Sequence, residues 1–100
     1  MGKHTCRECS VPFDSRQYNA DFCSDGCRRT FNNRRMKRGA ILYDLVMIER
    51  VDPKAFAANK LEKRIEELVA RWREEDTTAN RSRTFKRPSD VMYDTAAMLR

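Results

Sequence analysis

No apolar run in this 100-residue chain is long enough for a signal peptide or a membrane span. The chain is therefore expected to be cytoplasmic or otherwise intracellular, with no disulfide among its four cysteines. Histidine is nearly missing, since His4 is the only one and has no obvious catalytic partner. The strand-to-helix junction that carries a redox Cys-x-x-Cys pair in larger α/β domains is missing too. Acids are absent between Arg28 and Arg38, a stretch that holds six of the 21 lysines and arginines; the other 15 balance the 15 acids. All of the +6 excess charge therefore lies there.

What is present is a cysteine pattern. Cys6 and Cys9 are two residues apart, Cys23 and Cys27 three apart, and thirteen residues separate the pairs. Each close pair supplies two sulfurs from one turn of backbone, so two pairs close a tetrahedral shell around one zinc ion without water. Four thiolates bind iron as well, but this spacing and a single helix anchor favour zinc. A closed shell reads as structural, because catalytic zinc needs an open position and a nearby acid or base. No enzymatic activity is expected. With one zinc and four thiolates the net charge falls to about +4.

Ser24 is placed to cap a helix, with Asp25 in its first turn where a negative charge suits the dipole. Cys27 then lies at the base of that helix, where amides and nearby arginines favour thiolate. The strings CRECSVPF and FCSDGCRRTF resemble the FCS-type treble-clef zinc fingers, a group that includes the MYM-type fingers and the bacterial DNA gyrase inhibitor zinc proteins. The resemblance covers about residues 4–35 and implies a knuckle, a β-hairpin and a helix around one zinc. Ser10 stands where such modules commonly carry glycine, and a non-glycine residue is strained in the left-handed region.

Along the chain, residues 1–5 read as a disordered leader, and His4 is a weaker ligand candidate than any cysteine. Ser10 to Phe22 offers two short extended pieces around a polar turn, with Phe13 and Phe22 covering the zinc. A first long helix is expected from about Ser24 to Arg50, stopped by Asp52 and Pro53, with Phe31 facing the zinc module. Gly39 marks a hinge or a close helix contact. A second helix, Lys54 to Asp76, carries an apolar stripe of Leu61, Ile65, Leu68 and Trp72 that should pack antiparallel on Ile41, Leu45 and Ile48. Residues 77–88 have the composition of an exposed basic linker, and Ser89 should cap a short C-terminal helix.

The expected architecture is thus a small α+β treble clef over residues 1–35, an antiparallel helical hairpin over 36–76, and a basic linker with a short helix over 77–100. It is predominantly α overall. The ligands are Cys6, Cys9, Cys23 and Cys27. The basic stretch reads as a contact surface for DNA or RNA, through Arg28, Asn32, Asn33, Arg34, Arg35, Lys37 and Arg38. Arg28 and Arg29 have a second reading, as donors to the zinc thiolates.

Leu42, Tyr43, Val46 and Met47 remain uncovered by the hairpin. Three covers stand open: the C-terminal segment folding back through Val91, Met92, Ala96 and Met98 or Leu99, a homodimer, or a protein partner that also engages residues 85–99. The alternative function is accordingly an adaptor or inhibitor of a nucleic-acid enzyme.

Overall fold

The computed structural model describes residues 2–81 and 83–99. Two short strands open the fold, β1 at Gly2–Thr5 and β2 at Pro12–Ser15, paired antiparallel with Gly2 opposite Ser15 and Thr5 opposite Pro12. The supposed leader is therefore a strand, apart from Met1, which lies outside the described residues. Only one of the two extended pieces sought between Ser10 and Phe22 forms, because β2 pairs backward with β1.

Between the strands the chain makes a tight knuckle. The Cys6 amide donates to the Val11 carbonyl at 3.0 Å, and the Ser10 amide to the Cys6 carbonyl at 2.9 Å. Ser10 takes φ 63°, the left-handed conformation expected of a glycine. Its hydroxyl donates to the Asn80 carbonyl, which offsets part of that strain.

Helix α1 spans Asp25–Val51. Ser24 is its N-cap, accepting the Cys27 amide at 3.1 Å, and Asp25 occupies the first turn. Asp52 ends α1 and starts the next helix. Its amide donates to the Ile48 carbonyl at 2.8 Å while its carboxylate accepts the Ala55 amide at 3.2 Å, and Pro53 follows in the first turn.

The expected single helix from Lys54 to Asp76 is two, α2 at Pro53–Ala58 and α3 at Leu61–Thr78. The break falls at Asn59, whose side-chain amide donates to the Ala55 carbonyl at 2.8 Å, and at Lys60, which takes the left-handed φ 54°. The bend lets α2 press Phe56 into the junction of the three helices.

The core is thin. Cys6, Phe31, Leu45 and Phe56 are its buried hydrophobic residues, joined by one buried acid, Asp76. Leu61, Ile65, Leu68 and Trp72 are half-buried, but of their intended partners on α1 only Leu45 is enclosed; Ile41 and Ile48 stay exposed. Gly39 is not a site of close packing, since a Cβ built there meets nothing within 4 Å, and α1 continues through it.

The last helix, α4, covers Pro88–Met98 with Arg87, rather than Ser89, as its N-cap. It touches no other helix or strand among the described residues. Met92, Met98 and Leu99 are all largely exposed, so α4 does not fold back as a cover.

Candidate metal centre

Four sulfurs meet where the knuckle faces the start of α1. Cys6 and Cys9 come from the knuckle, Cys23 from the residue before the N-cap, and Cys27 from the first turn of α1. Their Sγ atoms all lie within 4.8 Å of one another, with Cys9 and Cys23 at 3.6 Å and Cys23 and Cys27 at 3.7 Å. Those separations are far too long for disulfides, and all four cysteines are free. A tetrahedron with zinc–sulfur bonds of about 2.3 Å has an edge of about 3.8 Å. The set therefore fits a four-coordinate ion. His4 stays outside the cluster, stacked near Phe13 at 5.5 Å.

The thiols differ in acidity. Burial pushes Cys6 up, but backbone amides of Cys9, Cys23 and Glu8 aimed at its sulfur bring it down to about 6. Cys23 is pushed up to about 12 by its hydrogen bonds with the Cys9 and Cys27 sulfurs. Cys27 is raised as well: the Ser24 and Cys23 hydrogen bonds lower it, but burial and the Cys6 and Cys9 sulfurs prevail. The thiolate expected at Cys27 from the helix terminus is thus opposed by its neighbours. Four sulfurs this close repel as anions, and a divalent cation is what relieves the repulsion.

Around the sulfurs lies an aromatic and ionic shell. Phe31 is buried and packs against Phe22 at 5.2 Å, so the expected contact of Phe31 with the cysteine module forms. Phe13 belongs instead to the hairpin with His4. The Arg7 guanidinium lies 4.7 Å from the centre of the Phe31 ring and that of Arg34 lies 5.9 Å from it.

Arg34 donates to both oxygens of Glu8, at 2.6 Å for Oε1. Arg38 donates to Asp76 at 2.9 Å and to Glu75 at 3.1 Å, and lies 5.4 Å from the Trp72 ring centre. Arg81 completes the circuit, donating to Asp76 at 3.0 Å and standing 3.6 Å from Glu8. Glu8 sits between the two knuckle cysteines, so one chain of ion pairs runs from the metal knuckle through α1 to the end of α3.

This shell divides the basic stretch. Arg34 and Arg38, expected to meet nucleic acid, are turned inward onto acids. Arg28, Arg29, Asn32, Asn33, Arg35 and Lys37 are exposed. Arg28 pairs with Asp25 at 3.2 Å, an exposed pair of little strength, rather than with a cysteine sulfur.

The supposed linker is also partly fixed. Arg83 donates to the Thr5 carbonyl at 2.9 Å, and Arg7 donates to the Arg83 carbonyl at 2.7 Å. Asp21 stands 3.7 Å from Arg7 and 3.5 Å from Arg83.

Sequence reasoning missed Glu8, Asp76, Arg81 and Arg83. Asp76 had a signal, for it continues the α3 stripe four residues after Trp72. No protein-family model, curated protein or solved structure matches this chain. No helix among the described residues is long and apolar enough to cross a membrane.

Proposed function

We propose that this is a zinc-binding protein of the FCS treble-clef type that contacts nucleic acid through the outward side of α1. The carrying observation is the outward side of α1 between Arg28 and Lys37. It exposes Arg28, Arg29, Asn32, Asn33, Arg35 and Lys37 with no acid among them, on a helix anchored at its base by the four-cysteine cluster. At about 100° per residue, Arg29 falls in the middle of this side between Asn32 and Asn33, with Arg28 and Arg35 along one edge and Lys37 along the other. That order suits a helix lying in the major groove of a duplex, with cations reaching phosphates on both flanks and amides facing base edges.

The four thiolates leave no coordination position for substrate, so the zinc is assigned a structural role and the chain no catalytic one. Zinc fixes where α1 begins; Arg34 and Arg38 fix its rotation, and the remaining cations supply attraction. The adaptor or inhibitor reading draws its support from Tyr43, Val46 and Met47, which are exposed on the second half of α1. On that reading these side chains meet a protein partner.

The test is fluorescence anisotropy of the zinc-loaded chain on labelled duplex DNA and single-stranded RNA, at about 50 and about 200 mM salt. Four phosphate contacts at a logarithmic slope of about 0.9 each should weaken duplex binding roughly a hundredfold across that range. Tighter binding to the single strand would redirect the reading to RNA. No binding to either at low salt would leave the adaptor reading.

A further inference from the structure

A groove of about 600 Å³ runs between α1 and α3 above the ion-pair circuit. Its floor is apolar, formed by Leu42, Val69, Trp72 and the bare backbone of Gly39. Two arginines on its walls, Arg35 and Arg73, make no ion pair among the described residues. An apolar trough with free guanidinium groups fits an amphipathic helix that carries acids along one edge of its apolar face.

The same chain carries such a helix. On α4 and its C-cap, Val91, Met92, Met98 and Leu99 are exposed, and at about 100° per residue they share one broad sector. Asp90 and Asp94, one turn apart, border that sector beside Val91 and Met98. Their present partners are weak, because the Arg87 to Asp90 and Lys86 to Asp94 pairs lie at the surface.

We propose that the groove between α1 and α3 receives α4 of a second copy of this chain, and that two copies exchange their C-terminal helices. Charge complementarity selects this occupant, with the edge of Asp90 and Asp94 meeting the α3 wall at Arg73 as the apolar sector covers Trp72 and Leu42. Docking of the chain's own α4 is disfavoured by its tether. Asn80 is held at the knuckle and Arg83 at the end of β1, and Thr84 and Phe85 already line the groove, so only Lys86 and Arg87 remain for a reversal. Exchange between two copies is self-complementary and closes, which leaves neither surface uncovered.

Light scattering on size-exclusion fractions of the zinc-loaded chain tests this. Wild type should run at twice the 11.8 kDa chain mass. Asp90→Arg with Asp94→Arg, and separately Arg73→Asp, should each give monomers. Mixing those two variants should restore the dimer, since each altered helix then meets the complementary groove. Gly39→Leu fills the groove where a side chain has open space and should also give a monomer; helicity and zinc content measured on every sample show that the fold is kept. A wild-type monomer throughout the micromolar range, as own-chain docking or a foreign partner requires, would overturn the proposal. So would a dimer that survives all three variants, which would place the interface elsewhere.

Discussion

Replacing Asp76 with alanine removes the acid on which two arginines from different parts of the chain converge. Asp76 is the one buried acid among the described residues, and its two oxygens are divided between Arg38 at 2.9 Å and Arg81 at 3.0 Å. Breaking a buried pair by deleting one partner costs about 3–5 kcal/mol, because the other charge is left without compensation. Here each arginine is nearly one-fifth exposed and keeps a second acid, Glu75 for Arg38 and Glu8 for Arg81. The cost should therefore be about 2–3 kcal/mol.

In a 100-residue chain that corresponds to a fall in Tm of roughly 10–20 °C, read by circular dichroism of the zinc-loaded protein. Burial pushes the Asp76 carboxyl up, but the hydrogen bonds from Arg38 and Arg81 prevail and hold it below its usual value. Its contribution is thus complete above the unfolded-state value of about 3.9 and is lost as pH falls through the lower folded value. The stability gap between wild type and Asp76→Asn should be full at pH 7 and close below about pH 4. A Tm change of only a few degrees for Asp76→Ala, as an exposed pair would give, would refute the account of the ion-pair circuit.

Three further outcomes are expected. Arg34→Glu with Arg38→Glu should destabilise the zinc-loaded fold in urea, whereas Arg29→Glu, Arg35→Glu and Lys37→Glu together should leave the urea midpoint nearly unchanged and abolish duplex binding. Lys60→Gly relieves a left-handed lysine and should raise Tm, with a gain of about 1 kcal/mol. Ser24→Ala removes the α1 cap and should cost about 1 kcal/mol in the same melt, with a further loss of zinc affinity because Cys27 lies in that first turn.

The cysteine cluster was legible because metal ligands come as close pairs, and close pairs survive in one dimension. The start and end of α1 were legible for a similar reason, since Ser24 and the Asp52–Pro53 step act within a few residues. The basic side was legible only in part: its inward arginines could be read from the helix, their partners could not. Arg34 and Arg38 fall within about 80° of Phe31, Leu42 and Leu45 on the helix, so the wheel itself places them on the inward side. Their acids, Glu8 and Asp76, lie 26 and 38 residues away. Charge alone could not say which arginines were already paired.

Strand β1, read as a leader, was missed because GKHT has little strand character of its own and is held by its pairing with β2. Lys60 was missed because a lysine gives no local sign of a left-handed turn. Asp76 was readable as an acid on an apolar stripe, and such a residue asks for a cation.

The most direct test of the central claim, that a metal on four cysteines fastens the knuckle to the start of α1, is native mass spectrometry combined with amide hydrogen exchange before and after a zinc chelator. Bound zinc should contribute on the order of 10 kcal/mol. The account predicts one zinc per chain, and loss of protection in residues 2–24 and 79–81 together once it is removed, with the middle of α1 and α3 slower to open. A chain that carries no zinc, or one whose protection is unchanged without it, would contradict the account.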